Sequence, residues 1–340
     1  MTISGPLRRA GLVLTACIAP AAPALAGPNL TITLDTPPTH VRNVYVRHFA
    51  DALTERSHGD LTVEVFDSGQ LYSSRDAGRA VARGDAGMAI VSAAQLARIE
   101  SNLNLFSLPM FMGTNAAQMD QIVDGPVGQR LAQMVADKMH VVALTGWYIL
   151  GEINTYSTNR PLNSLADFQG LQIRTPGGAG TLAYIEEAGA TPVTLPFTDV
   201  PLALQQGAID AMMSSNASIV SASLQETGLR YAYLNRVAIG YYVPIISQAY
   251  WDQLTAEQQQ MVRDTWAEFV PQQRVAAAEE QNAARQTLEA GGMVFVDQPA
   301  EEAAAMRERL QPAQEQLIQQ LEISPEVLDL AHAALQAALQ

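Results

Sequence analysis

The segment that decides the fold is residues 30–66, LTITLDTPPTHVRNVYVRHFADALTERSHGDLTVEVF. Residues 30–34 alternate apolar and polar side chains and are rich in β-branched ones, which predicts a strand. Residues 41–57 predict an amphipathic helix, a His-Gly-Asp turn follows, and residues 61–66 predict a second strand. This β-α-β unit indicates an open α/β sheet, in which ligands bind beyond the carboxyl ends of the strands.

The same pattern recurs along the chain and predicts two similar lobes. A helix and strand over 75–91 continue the alternation, and a second unit begins near Gly151. The stretches AVARGDAGMAIVS (80–92) and ALQQGAIDAMMSS (203–215) share the order helix, glycine, strand, serine. From Trp251 onward the sequence predicts long helices that brace the two lobes.

The composition excludes several classes of protein. The 340-residue chain carries 20 Lys+Arg against 34 Asp+Glu, which gives a net charge of −14. A field of this sign repels duplex DNA and RNA, because nucleic-acid affinity comes largely from basic side chains on phosphates. Hydrophobic residues make up 48% of the chain, enough to bury a core and to exclude a disordered protein. We therefore expect a two-domain folded protein without a nucleic-acid partner.

Residues 1–26 are predicted to be a secretory signal peptide. Arg8 and Arg9 precede an apolar run over 10–22, and an Ala-Leu-Ala cleavage site ends at Ala26. The LTAC sequence ending at Cys17, the only cysteine, also resembles a lipobox, but the residues after it stay apolar where a lipoprotein usually turns polar. Both alternatives export the chain, to the periplasm in a Gram-negative bacterium. No later segment has the ~20 apolar residues of a membrane-spanning helix.

Motifs for cofactors and metals are weak. GAGTLA (178–183) with Asp199 about twenty residues on fits a relaxed dinucleotide fingerprint. Pro176 stiffens that turn, however, and we interpret the glycines as giving loop flexibility. The chain has no GxxxxGKS/T phosphate loop, and its five histidines lack the spacing of metal ligands. No cofactor and no metal are therefore expected.

Arg174 is the first candidate for ligand binding. It ends an otherwise apolar strand beside a glycine-rich loop, so its guanidinium can point into the crevice at the strand ends and hold a carboxylate with two parallel hydrogen bonds. A solvated arginine at a strand end is the alternative. Ser214 and Ser215 raise the further alternative of an exported hydrolase, although the sequence shows no GxSxG elbow and no histidine beside them.

A resemblance to a known family rests on five motifs: GDLTVEVF (59–66), FSLPMF (106–111), LADFQGLQIRTP (165–176), GATPVTLPFTDV (189–200) and ALQQGAID (203–210). Their order and spacing resemble the DctP-type solute-binding proteins of tripartite ATP-independent periplasmic (TRAP) transporters, over roughly residues 30–266. The resemblance implies an α/β two-lobe periplasmic-binding-protein-like fold with a ligand cleft between the lobes and long C-terminal helices. It implies a protein that is not an enzyme, that closes on an organic anion, and that delivers this anion to TRAP membrane subunits driven by an ion gradient.

The resemblance also assigns roles to particular residues. It implies that Arg174 binds the ligand carboxylate and that Phe197 packs on the ligand. Further contacts are implied from three strand ends, at Asp35, Ser92 and Ser214.

One departure of the chain from the family concerns a second arginine. Many members carry a second arginine after the Trp-containing strand, where this chain offers Glu152 or Asn154, so we do not expect a ligand with two closely bound carboxylates. Asp35 would accept a hydroxyl or ammonium hydrogen, which favours a hydroxy acid or a zwitterion. Trp147 could instead help to hold an aromatic or branched acid, and core packing is an equal explanation for it.

Because the chain crosses between the lobes, each predicted lobe has two parts. Lobe I comprises 27–150 and 240–279, and lobe II comprises 151–239 and 280–340. Extracytoplasmic capture of a small carboxylate is the predicted function, and a ligand-sensing binding protein is a rival beside the exported hydrolase.

Overall fold

The computed structural model describes residues 1–2 and 28–338. Apart from its first two residues, the predicted signal peptide lies outside the described residues, and so does Cys17. Within the described ranges, no helix combines the length and apolar character needed to cross a membrane. The same ranges contain no cluster of three or more His, Cys, Asp or Glu side chains that could hold a metal ion.

Ten strands of the described chain form one sheet. They are β1 (Asn29–Thr33), β2 (Thr62–Phe66), β3 (Met88–Ser92), β4 (Val141–Ala143), β5 (Tyr148–Ser157), β6 (Gln172–Thr175), β7 (Thr191–Thr194), β8 (Ala211–Ser214), β9 (Tyr231–Ser247) and β10 (Val294–Asp297).

The α-helices of residues 28–338 cover the sheet. They are α1 (Val41–Arg56), α2 (Ala77–Arg83), α3 (Ala93–Leu96), α4 (Ala116–Asp124), α5 (Pro126–Met139), α6 (Ala179–Glu187), α7 (Val200–Gln205), α8 (Asn216–Ser221), α9 (Gln248–Trp251), α10 (Ala256–Ala290), α11 (Ala300–Arg309), α12 (Gln311–Gln320) and α13 (Pro325–Ala338). Short 3-10 turns cover Ser101–Ser107, Pro109–Phe111, Leu165–Phe168, Phe197–Asp199 and Leu224–Thr227.

The strand order shows two similar lobes. The sheet runs β2-β1-β3-β9-β5-β8-β6-β7, with β4 and β10 also paired to β9. In the first lobe β1 lies between β2 and β3, and in the second lobe β6 lies between β7 and β8, with every one of these pairs parallel. The strands β3 and β8 therefore occupy equivalent places, which explains the similarity between 80–92 and 203–215. The predicted two-lobe α/β fold is confirmed.

The long antiparallel strands β5 and β9 join the lobes. β3 pairs with β9 and β8 pairs with β5, so the two strands stand between the parallel parts of the sheet. Their own pairing shifts register between Ile149 and Gly151 and again between Ile153 and Thr155. Gly151 has φ +110°, a conformation that a side chain would strain.

Helix α10 braces this junction from outside. It begins with a capping box between Thr255 and Gln258, runs for 35 residues, and packs on α1 in the first lobe and α8 in the second. The fully buried Gln273 donates its side-chain amide to the Ile149 carbonyl and accepts from the Ile149 N–H, both at 2.9 Å. The helix thereby satisfies backbone groups that the irregular strand leaves without strand partners.

Apolar side chains fill both faces of the sheet. In the first lobe, Leu30 and Ile32 of β1 pack with Phe49 of α1 and with Trp266 of α10. The last helix, α13, packs on α4 and α5 of this lobe. The predicted limits of the two lobes stay a prediction. They assign residues 280–340, and so α13, to lobe II, although α13 packs on helices of the first lobe.

Candidate ligand-binding site

Arg174 lies near the carboxyl end of β6, in the second lobe. It is only 3% exposed. Its Nε and Nη2 donate to the carbonyl of Leu195, at 3.1 and 2.9 Å, and its guanidinium carbon lies 5.8 Å from the centre of the Phe197 ring. The segment after β7 therefore holds one side of the guanidinium. The other N–H groups make no hydrogen bond to that segment.

The charge of Arg174 has no partner in the described chain. No carboxylate of residues 28–338 lies within ion-pair distance of the guanidinium. Burial lowers the Arg174 pKa to about 10, while the charges of Asp35, Tyr242 and Asp199 oppose the shift. The side chain stays cationic at neutral pH. A buried cation of this kind is suited to bind an anion, because a charge is costly to bury without a partner.

A second buried guanidinium, that of Arg42, lies at the carboxyl end of β1 in the first lobe. It is fully buried, and its Nη2 donates to Asp35 Oδ1 at 2.7 Å and to Thr36 Oγ1 at 2.6 Å. Its carbon lies 4.3 Å from the centre of the Tyr242 ring. Burial raises the pKa of the Asp35 carboxyl, but the charge and hydrogen bond of Arg42 outweigh burial, and this pKa lies below its usual value. Asp35 is therefore ionised.

The two lobes touch beside these groups. His40, the N-cap of α1, accepts from the Arg42 N–H through Nδ1 at 3.2 Å, so its own hydrogen is on Nε2. This Nε2 lies 3.2 Å from Ser218 Oγ of α8 and donates to it. Burial, followed by the positive charge of Arg42, lowers the His40 pKa to about 3. The imidazole is neutral and spans the cleft as a hydrogen-bond donor.

A second contact between the lobes explains the glycine-rich loop. At the start of α6 the N–H of Ala179 donates to Asn104 Oδ1 at 2.8 Å, and the N–H of Gly180 donates to Ser107 Oγ at 3.1 Å. A Cβ on Gly180 would lie 1.8 Å from the Ser107 carbonyl oxygen. The glycines thus permit close packing of one lobe on the other, a role that the interpretation as loop flexibility did not include.

Ser92 and Ser214 end the equivalent strands β3 and β8. Ser92 lines a small cavity of about 60 Å³ between residues of the two lobes, together with Thr175, which follows Arg174. Ser214 is buried and lies opposite Asn154 of β5. Arg174 and Phe197 thus lie together, and Asp35 lies near enough for its charge to act on Arg174, whereas Ser92 is connected to this group only through the cavity that it shares with Thr175.

The remaining predicted residues have other surroundings. Trp147 is 1% exposed, donates to the Leu144 carbonyl, and packs edge-on against Phe106 in the core. Glu152 pairs with Arg236, and Asn154 accepts from the N–H of Arg236. Both line a groove of about 590 Å³ between β5 and α10. None of the hydrogen bonds of Arg174 to the described residues involves these three side chains.

Sequence reasoning missed Arg42, His40 and Tyr242. A signal for Arg42 was present, because it lies on the same helical face as Val46, Phe49 and Leu53, which are fully buried. A cation on an apolar helix face either pairs internally or serves a site.

Two α/β lobes around a buried, uncompensated guanidinium define a binding protein for small organic anions. The comparisons with known proteins agree with this class. The sequence profile of the family described as bacterial extracellular solute-binding protein, family 7 (DctP), matches residues 34–320, and the chain belongs to this family.

Individual relatives are distant but extensive. The chain is 23% identical over 284 residues to a solute-binding protein of Chromohalobacter salexigens, with 84% of this chain and 83% of the relative covered. It is 26% identical to the C4-dicarboxylate-binding periplasmic protein DctP of Rhodobacter capsulatus, over 80% of this chain and 81% of that protein. Among solved structures, the sugar acid binding protein DctPAm of Advenella mimigardefordensis, in complex with galactonate, superposes with a TM-score of 0.86 at 21% identity, covering 92% of this chain and 99% of that one.

Proposed function

We propose that the protein captures a small organic acid outside the cytoplasm and delivers it to the membrane subunits of a TRAP transporter. The observation that carries the proposal is Arg174, a buried guanidinium between two lobes with no carboxylate partner in the described chain. A ligand carboxylate supplies both the missing charge and the missing acceptors, and the low dielectric between the lobes strengthens the pair.

Relatives support an acid as the ligand. One relative is named for C4-dicarboxylates, and one structural neighbour holds galactonate. Delivery to membrane subunits comes from family membership, as does a location outside the cytoplasm. The proposal includes removal of the signal peptide after Ala26. Mass spectrometry of the mature protein tests this cleavage, because a lipid on Cys17 would give a different mass.

The exported hydrolase gains no support from the serines. Ser215 donates to Ser218, which in turn receives the hydrogen of His40 Nε2. A histidine that donates to a serine cannot accept that serine's proton, as a general base must. Turnover of ester substrates that is lost in a Ser215→Ala variant would contradict this argument.

A thermal-shift screen against organic acids tests the binding role. A ligand at 100 times its Kd stabilises the folded protein by about 2.7 kcal/mol. Arg174→Ala should lose that shift, and Arg79→Ala, which removes an exposed arginine of α2, should keep it. An unchanged shift in Arg174→Ala would remove the basis of the proposal.

A further inference from the structure

The side chain of Gln281, on the long helix α10, bonds to two different elements at the junction of the lobes. Its Nε2 donates to the carbonyl of Leu150 in β5 at 2.8 Å, and its Oε1 accepts from the N–H of Ala217 in α8 at 3.1 Å. Both ends of the amide are therefore used, each by the backbone of another element. The side chain connects a strand between the lobes to a helix of the second lobe.

The bond to β5 falls where that strand departs from regular pairing. Ile149 and Gly151 pair with consecutive residues of β9, so Leu150 is the extra residue of a β-bulge. A Cβ on Gly151 would lie 3.1–3.3 Å from atoms of the Gln281 side chain, which shows how closely the two approach. Gln281 thus fixes the bulge against α10.

The bond to α8 falls beside a contact between the lobes. An N–H in the first turn of a helix has no acceptor within that helix, and Gln281 supplies one for Ala217. The next residue, Ser218, accepts the Nε2 hydrogen of His40 from the first lobe at 3.2 Å. The backbone that Gln281 holds is therefore adjacent in sequence to the residue that meets the other lobe.

The helix α8 is the element that connects the two side chains. Gln281 and His40 share no hydrogen bond among the described residues, since the ring of His40 bonds to the Arg42 N–H and to Ser218. An effect of one side chain on the other can thus pass through the start of α8. A coupling of this kind is established by measuring it, and an intermediate position alone does not prove it.

We infer that Gln281 is a positioning residue for ligand capture: it sets the start of α8 relative to the bulge of β5, so that Ser218 meets His40. The inference rests on the proposed function and adds a residue of α10 that controls affinity through α8. Without the Gln281 amide, the hydrogen bond between the lobes forms in a smaller fraction of the molecules. The apparent affinity for the ligand falls with that fraction.

A double-mutant cycle on ligand affinity tests the inference. Gln281→Met keeps the length of the side chain and removes both hydrogen bonds. His40→Asn keeps an N-cap acceptor for α1 but is too short to reach Ser218. Each variant should weaken binding at least ~3-fold, the effect of one lost hydrogen bond. The double variant should bind at most ~2-fold more weakly than the weaker single variant, because both substitutions remove the same contact.

The ligand for this cycle is chosen with the unaltered protein. It is the acid that binds most tightly, by calorimetric titration, in a screen that includes galactonate, galacturonate and succinate. If no organic acid binds the unaltered protein, the proposed function fails and this inference fails with it.

A purely structural role of Gln281 gives a different result. The two variants then act independently, and their fold-changes in Kd multiply in the double variant. Gln272→Met is the matched control, because it removes an exposed glutamine of α10 whose amide bonds only to the Glu268 carbonyl of the same helix, and it should leave the Kd unchanged. Fold-changes that multiply, or equal Kd values for Gln281→Met and Gln272→Met, overturn the inference and leave the proposed function standing.

Hydrogen exchange of the unaltered protein decides the question if Gln281→Met does not fold. The Ala217 N–H is held by Gln281, and this bond should open less often when a bound acid keeps the lobes together. Exchange of the Ala217 N–H should therefore slow at least ~10-fold when the protein is saturated with the acid. Equal exchange rates with and without the acid overturn the inference.

Discussion

At the scale of single residues, the cleft is built from polar side chains that fix one another. His40 accepts from the Arg42 backbone, Arg42 holds Asp35, and Asn43 Nδ2 donates to the Thr36 carbonyl and to Asp67. Such a network holds its members in one geometry, because each buried group that loses its partner costs about 1–3 kcal/mol. The buried end of β1 is therefore rigid before any ligand arrives.

His40 makes the stability of the protein depend on pH. Below pH 6.5 the unfolded chain binds a proton at this residue, which the folded chain does not bind until about pH 3, so the unfolding free energy should fall by up to ~1.4 kcal/mol per pH unit across that window. Denaturant unfolding between pH 7 and pH 4 measures this slope. His40→Gln should have a shallower slope, and His332→Gln, which changes an exposed histidine, should match the unaltered protein. Equal slopes for all three proteins would show that His40 is not held neutral.

At the scale of elements, the start of α6 depends on the other lobe. Two of its first N–H groups, which no residue of the helix itself can satisfy, are capped by Asn104 and Ser107. The helix thus gains its cap only when the lobes lie against each other, which couples a local interaction to the relative position of the lobes.

Gly180→Ala should disturb this contact. The added methyl group overlaps the Ser107 carbonyl, which belongs to the backbone and cannot rotate away, so the variant should lose about 1–3 kcal/mol of stability and bind its ligand more weakly. Gly291→Ala, at the end of α10, is the matched control, because its Cβ would meet neighbours only at 3.4 Å. Thermal unfolding with and without ligand gives both quantities, and a Gly180→Ala protein as stable as the control would mean that the lobes do not pack this closely.

At the scale of the whole molecule, the same features connect ligand binding to the distance between the lobes. Arg174 is buried in this arrangement of the lobes, and burial of a cation without a partner is unfavourable. The ligand carboxylate that we propose for Arg174 would remove this cost and so shift the protein toward the arrangement in which the lobes are close together. The paired strands β5 and β9, with Gly151 at a register shift, connect the two lobes.

Small-angle X-ray scattering tests this coupling. The radius of gyration of the unaltered protein should decrease when an acid that binds to it is added. The radius of gyration of the Arg174→Met variant should not change when the same acid is added. An equal decrease in the radius of gyration of both proteins would show that closure of the lobes does not depend on the Arg174 ion pair.

Much of the fold could be predicted from local patterns. The predicted strand over 30–34 is observed as Asn29–Thr33, and the predicted helix over 41–57 as Val41–Arg56, because periodicity reports which face of an element is buried. The repeat of helix, glycine, strand and serine also predicted the equivalence of β3 and β8. Arg174 could also be recognised from the local pattern, because a charged residue interrupts an otherwise apolar strand.

The sequence by itself determined two α/β lobes, the family to which the chain belongs, and an arginine suited to bind an acid. Only the tertiary structure decided which polar side chains share the cleft. Alternation along β5 puts Glu152 and Asn154 on one face of the strand, but that face lies in the groove toward α10 because of how the long helix packs. Arg42 and Asp35 meet because the end of β1 and the start of α1 fold back on each other, and His40 reaches Ser218 across 178 residues of chain. Local patterns carry no information about such distant contacts, since these depend on how the two lobes pack together.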